Sequence, residues 1–228
     1  MKKYLLIILS MSAFLLPARA QDDNFIFDMP NDFATLDTVV HPPRFKSIHM
    51  IGVSYGVSWS GVTSSPGISQ SKILTYNNFG VYYTYYHALW DHLFNFGLKT
   101  GAMYLHEGYV SEREGYGETC TLVNVPLISQ FKIDFSIFRV LINLGTYGGY
   151  RLTTDKEGGF DKYDQRYDYG VLGGGGFAIV FHPFEFHIEA NYKYAFASQY
   201  QTNKMSDIYW MYTYPQNIMF SASLFFHL

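Results

Sequence analysis

Residues 184–196 read Phe184-Glu185-Phe186-His187-Ile188-Glu189-Ala190-Asn191-Tyr192-Lys193-Tyr194-Ala195-Phe196. In an extended strand Phe184, Phe186, Ile188, Ala190, Tyr192, Tyr194 and Phe196 fall on one face. Glu185, His187, Glu189, Asn191 and Lys193 fall on the other. Successive strand side chains point to opposite sides, so this segment carries one greasy and one charged face. The same period recurs along the chain. Phe138, Val140, Ile142 and Leu144 oppose Arg139, Asn143 and Gly145, while Phe94, Phe96, Leu98 and Ala102 oppose Asn95, Gly97, Lys99 and Gly101. Val53, Tyr55, Val57 and Trp59 oppose Gly52, Ser54, Gly56 and Ser58. At the C-terminus Ile218, Phe220, Ala222, Leu224, Phe226 and Leu228 oppose Asn217, Ser221, Ser223 and His227. Runs at about 76–87, 120–133 and 167–182 bring the total to eight strands. No stretch carries a helical period.

The connections give the architecture. Tight turns are expected at 87–92, 134–137 and 182–183, and long polar connections at 61–75, 106–119, 152–166 and 198–214. Strict alternation of short and long places every long loop at one end of the strands. That asymmetry, with strands of about ten residues and an even strand number, is the mark of a transmembrane β-barrel. The expected fold is therefore all-β: an eight-stranded antiparallel transmembrane β-barrel in up-and-down meander order.

Alternation does not say which face is outside, because a soluble eight-stranded barrel would bury its greasy face. Two features favour the inverse. The polar face is rich in Gly, Ala and Ser interspersed with charges of both signs, which suits an interior just wide enough for side chains to fill. The apolar face carries Trp59, Tyr104, Tyr150, Tyr169, Phe181 and Phe184 near strand ends, as aromatic girdles at two membrane interfaces require.

Composition agrees. The 228 residues hold 21 Tyr, 20 Phe and 3 Trp, too many aromatics for a disordered chain, and only 15% charged residues; about 25% is usual for soluble domains. Residues 1–20 read as a secretory signal peptide: Lys2 and Lys3, an apolar run from Tyr4 to Leu16, and Ala18-Arg19-Ala20 at the cleavage site. No Cys follows the site, which argues against a lipoprotein. Removing Lys2, Lys3 and Arg19 leaves 13 basic residues (16 − 3) against 19 acidic, a mature net charge of −6, which argues against nucleic-acid partners. Residues 21–46, with Pro30, Pro42 and Pro43, read as an extended periplasmic lead-in, and 47–228 as the barrel domain. The single Cys120 cannot form an internal disulfide and reads as a buried or loop thiol.

Several strand patterns resemble the small PorT-like outer-membrane β-barrel family. They are Val123-Asn124-Val125-Pro126-Leu127-Ile128, Leu141-Ile142-Asn143-Leu144-Gly145-Thr146-Tyr147-Gly148-Gly149-Tyr150, and Tyr169-Gly170-Val171-Leu172-Gly173-Gly174-Gly175-Gly176. Ile188-Glu189-Ala190-Asn191-Tyr192-Lys193-Tyr194 and Phe220-Ser221-Ala222-Ser223-Leu224-Phe225-Phe226 complete the likeness, which spans about residues 47–228. It implies a bacterial outer-membrane location and, by analogy with the family's namesake, a part in protein secretion. Its motifs specify fold, and no catalytic residue carries over.

Candidate chemistry competes with plainer structural roles. Gly173 to Gly176 lie inside a strand, whereas a dinucleotide fingerprint needs a strand, a glycine turn and then a helix; close-packed barrel wall is the better account. His87, His92 and His182 lie at expected turns, as interface-anchoring or solvated groups do. The acidic segment from Asp155 to Asp164 lacks calcium-loop spacing and reads as a solvated loop. His106, Glu107 and Ser111 share one expected loop and contain the residue types of a hydrolytic set, without an H-x-S element. The expectation is no enzyme, no cofactor and no metal, with a lipid hydrolase or acyltransferase as the rival and a small-solute channel as the third reading.

The inward charges are the candidate site: Lys99, Lys132, Arg139, Arg151, Asp168, Glu185, His187, Glu189 and Lys193. Counted from the periplasmic end, Glu189 and Lys99 share a level, Glu185 is level with Lys132 and Arg139, and Lys193 joins Arg151 and Asp168. Unpaired buried charge is very costly while paired charge is tolerated, so these groups are expected to pair and plug the lumen. The expected role is structural, interaction-based or secretion-assisting, with outer-membrane lipid and envelope or secretion proteins meeting the long loops as partners.

Overall fold

A computed structural model of the chain describes residues 47–65, 67, 70–90, 94–111, 117–135, 137–201 and 212–228. The expected signal peptide and lead-in lie outside them, as do His92 and Glu112. The described residues form eight strands: β1 Ile48–Ser65, β2 Gln70–Trp90, β3 Phe94–Ser111, β4 Gly117–Phe135, β5 Phe138–Thr154, β6 Tyr167–Phe181, β7 Phe184–Ala195 and β8 Tyr212–His227. Each pairs antiparallel with its neighbour in sequence, and β1 pairs with β8 from Met50↔His227 to Ser65↔Tyr212, so the sheet closes. Closure leaves no free sheet edge. The expected fold class is the observed one.

Burial alternates as the greasy-face argument requires, and in the inverse sense. Along β7, Glu185, His187, Glu189, Asn191 and Lys193 are buried inside while Phe184, Ile188 and Tyr192 are exposed outside. Leu144 is 65% exposed and Phe177 65%, whereas Lys99 and Glu189 are 2% exposed. Apolar side chains outside and charges inside is the burial pattern of a barrel made for lipid. Trp59, Tyr104, Tyr169, Phe181 and Phe184 all stand exposed on the outer wall.

Two connections differ from expectation. Most of 61–75 and 106–119 is strand: β1 runs to Ser65, β2 starts at Gln70, β3 runs to Ser111 and β4 starts at Gly117. β2 has 21 residues; at about 3.3 Å per residue and a tilt of about 40°, it spans roughly twice the ~25 Å apolar band of a membrane barrel. Beyond that band the outer face meets water instead of lipid, so polar residues stand on both sides and the period-two signal weakens. The hydrogen-bonded ladder continues nonetheless, and inner residues such as Val62, Glu107 and Tyr109 stay buried. The connections at residues 155–166 and 196–211 are longer.

The glycine run of β6 shows why the wall is thin there. A Cβ on Gly176 would lie 2.2 Å from the Ile188 carbonyl oxygen and 2.9 Å from Glu189 Cα; one on Gly174 would lie 2.1 Å from the Ala190 carbonyl oxygen. On the outward face, the nearest atom to a Cβ on Gly173 is 3.7 Å away. Gly176→Ala should therefore cost about 1–3 kcal/mol by overpacking β6 against β7, and Gly173→Ala should be close to neutral. Urea titration of both variants in micelles measures the contrast; equal effects would contradict the close approach.

Candidate functional site

The lumen is stacked in layers of charge, each set by strand alternation. At the end where β4 meets β5 and β6 meets β7, Arg139 pairs with Glu185, and its Nε lies 3.0 Å from Asp134 Oδ1. His187 Nε2 and His227 Nε2 lie 3.0 and 3.2 Å from the two Glu185 oxygens. Asn95 donates to Asp134 at 3.0 Å. One level up, Lys99 donates to Glu189 Oε2 at 2.5 Å, while Gln130 and Asn143 donate to Glu189 Oε1 at 2.9 and 2.8 Å. All of that carboxylate's oxygens are engaged. In the third layer Lys193 donates to Asp168 at 2.8 Å and to Glu107, Arg151 Nη2 lies 3.3 Å from Asp168, and Asn217 donates to Glu107 at 2.6 Å.

The ionised groups in these layers balance. Lys99, Lys132, Arg139, Arg151 and Lys193 supply five positive charges, and Glu107, Asp134, Asp168, Glu185 and Glu189 five negative ones. A narrow, low-dielectric interior tolerates charge best when it is paired and hydrogen-bonded. The balance meets that demand in sum, but Lys132, expected from the sequence to pair, makes no ion pair with a described residue. Three of the lysines also rest on tyrosine rings: Lys99 on Tyr82 at 4.6 Å, Lys132 on Tyr86 at 4.1 Å and Lys193 on Tyr147 at 4.4 Å. A cation held over a desolvated aromatic face gains attraction from the ring quadrupole. Lys132 depends on this most, because its Nζ makes no hydrogen bond among the described residues.

Beside the polar groups sit Met50, Met103, Leu105, Leu122 and Phe225, also buried inside the wall, Phe225 opposite Glu185 and Leu122 opposite Arg151. A void at mid-barrel, between Tyr82, Lys99, Met103 and Glu189, measures about 20 Å3, room for about one water. The end opposite the short turns is roofed as well. Tyr200 donates to Glu118 at 2.5 Å and lies 3.0 Å from Tyr109, and Gln199 donates to Glu118 at 3.0 Å. The longer connections bind each other over this mouth: Gln165 N–H donates to the Gln199 carbonyl at 2.9 Å, and Gln201 N–H to that of Tyr163 at 2.9 Å. Burial and the neighbouring Tyr109 and Glu118 hold the Tyr200 hydroxyl well above its ordinary pKa, so it stays a donor.

The nine residues singled out from sequence all lie inside the barrel. Asn143 and Asn217 lie on the polar face that the alternation gives, whereas the sequence does not single out Glu107, Asp134, Gln130 and the three tyrosines as members of the lumen. Glu107, expected in a loop, belongs to β3; continuing the β3 alternation through Lys99, Gly101, Met103 and Leu105 puts it on the inner face. The set His106, Glu107 and Ser111 is not assembled. Adjacent strand residues face opposite ways: Glu107 is 3% exposed inside, whereas His106 sits on the outer wall against Tyr104. In the acidic connection, Asp155 accepts from Thr119, and Lys156 lies 3.4 and 3.6 Å from Asp161 and Asp164. Cys120 is partly buried against the inner apolar cluster.

No protein-family model matches the chain, and no curated protein matches it. Among solved structures the chain is similar to Ail, the attachment invasion locus protein of Yersinia pestis, at 16% identity and a TM-score of 0.40, covering 78% of this chain and 99% of that one. It is similar to Neisserial surface protein A at 11% identity and a TM-score of 0.46, covering 78% and 96%. Against the outer membrane protein OprG from Pseudomonas aeruginosa the figures are 9%, 0.47, 81% and 97%.

Proposed function

We propose that the protein is an integral barrel of a bacterial outer membrane that works by presenting its wall and outer rim to envelope partners, and that nothing passes through its lumen. The observation carrying this is the sealed interior: three charge layers, an apolar cluster packed beside them and a hydrogen-bonded roof. A channel needs a continuous wet path, and a void of about 20 Å3 does not make one. The resemblance to the PorT-like family supports a place beside secretion machinery. Purified protein in planar bilayers should give no stable single-channel current; steady unitary currents would put the solute-channel reading first.

The same reading sets orientation, with the short turns in the periplasm and the longer connections outside. Lys162 is exposed in the connection between β5 and β6. Trypsin added to intact cells should cut within residues 155–166. Protection of that connection, with cleavage only after the outer membrane is broken, would reverse the topology.

A further inference from the structure

The outer wall carries a polar recess. Thr119, Thr121, Thr153, His106, Asn77 and Tyr76 line a hollow of about 540 Å3 at the strand ends away from the short turns. Known small-molecule sites commonly measure about 300–1,000 Å3. The recess lies between two irregularities of the sheet. Between the pairs Lys72↔Tyr109 and Phe79↔Tyr104, six residues of β2 face four of β3. Between Thr121↔Thr153 and Leu122↔Arg151, β5 carries an extra residue, Leu152. Such bulges re-aim side chains and occur beside functional sites. Asn77, at the tip of the β2 bulge, has φ of 62°, and the Thr75 hydroxyl ties the bulge down, 2.6 Å from the His106 carbonyl oxygen and 3.1 Å from that of Ser58. His106 N–H donates to Asn78 Oδ1 at 2.8 Å, which fixes the facing segment of β3. The hollow is thus braced from both sides.

Its chemistry is specific. Thr121 Oγ1 and His106 Nδ1 are 3.0 Å apart, leaving His106 Nε2 and the Thr153 hydroxyl without a partner among the described residues. Asp155 at the rim accepts from Thr119 N–H at 2.7 Å and from its hydroxyl, and a carboxylate has capacity for further donors. Tyr76 stands 56% exposed beside them and offers a ring face. No Lys or Arg lines the hollow, so nothing there would hold a phosphate or sulfate, and the one formal charge is negative. Hydroxyls, an amide, an imidazole and a carboxylate beside an aromatic face complement a ligand that is uncharged, rich in hydroxyls and apolar on its ring face. From this we infer that the recess binds a neutral saccharide, either free or as the headgroup of an outer-leaflet glycolipid. Just below it the wall turns apolar at Tyr55, Phe79 and Tyr104, so a headgroup seated in the hollow would leave its acyl chains against that belt. The glycolipid source rests on the orientation proposed above; the saccharide chemistry does not.

The test is NMR of the full refolded chain, with threonine methyl and histidine ring signals read at Thr121, Thr153 and His106. One arm adds free maltotriose to the protein in micelles. A second compares nanodiscs of phosphatidylethanolamine with and without a neutral diglucosyl lipid, and a third adds inorganic phosphate. Saturable shifts with maltotriose identify a free saccharide as sufficient; shifts with the glycolipid alone identify the lipid-borne headgroup. Either response should weaken about tenfold in the Thr121→Val/Thr153→Val variant, the loss expected when two ordinary hydrogen bonds go, and also in Tyr76→Ala. Heat-modifiable migration confirms that each variant is folded. No response to either sugar, a response unchanged in both variants, or a response to phosphate instead would overturn the assignment. The micelle arm has no membrane sidedness, so its failure is distinct from a failure of the trypsin experiment.

Discussion

Glu189→Ala should destabilise the folded barrel by about 3–5 kcal/mol, because it leaves a buried lysine with no counter-charge. Lys99 is 2% exposed, and its ion-pair partner is the Glu189 carboxylate at 2.5 Å. The same truncation strips Gln130 and Asn143 of their shared acceptor, and a buried donor without an acceptor carries its own desolvation cost. Urea unfolding in phospholipid vesicles, followed by aromatic fluorescence, measures the change. Glu157→Ala, in the exposed connection after β5, should stay within about 0.5 kcal/mol of wild type. Adding Lys99→Met to Glu189→Ala should recover much of the loss, since removing both charges ends the mismatch. A neutral Glu189→Ala would mean that the middle layer contributes nothing to stability.

Deleting residues 218–228 should abolish folded protein in the membrane altogether. Those residues pair with residues 50–59 of β1 and with residues 184–192 of β7. Without them two strands present open edges, and each backbone group left unsatisfied in hydrocarbon costs several kcal/mol. The total far exceeds the stability of an ordinary domain, about 5–15 kcal/mol. Membrane fractions should then lack the fast-migrating, heat-modifiable band that the full chain gives. A truncated chain that inserts and shows that band would refute closure through β8.

The strands that cross the apolar band were legible because lipid outside and charge inside impose opposite demands on successive residues. β7 is the clearest: five polar residues alternate with greasy ones without a break. The extensions at 61–65, 70–75, 106–111 and 117–119 were not legible, since outside the lipid the outer face need no longer be greasy and its contrast with the inner face is lost. The charges of the lumen could be read from β7, β5 and the start of β3. Their aromatic partners could not. In Tyr82-Tyr83-Thr84-Tyr85-Tyr86 both faces are aromatic, so only the register distinguishes the inward Tyr82 and Tyr86 from the outward Tyr83 and Tyr85. The recess on the outer wall was hidden for a different reason. It depends on two bulges, and a bulge breaks the very period by which a strand is recognised.

Some partners of the lumen charges are neighbours in the hairpin order, as Arg151 and Asp168 are, but others lie far apart in the chain: Lys99 and Glu189 are 90 residues apart, Glu107 and Lys193 86, and Arg139 and Glu185 46. A hairpin of β6 and β7 alone would carry Glu185 and Glu189 with their cations still on β5 and β3. A hairpin of β2 and β3 would carry Lys99 and Glu107 equally unmatched. Entering lipid one hairpin at a time would drag bare charges into hydrocarbon, so the assembly route has to gather the strands into a nearly closed cylinder before, or while, the wall meets the bilayer. The ion pairs between distant strands thereby favour insertion of a nearly closed cylinder over insertion hairpin by hairpin.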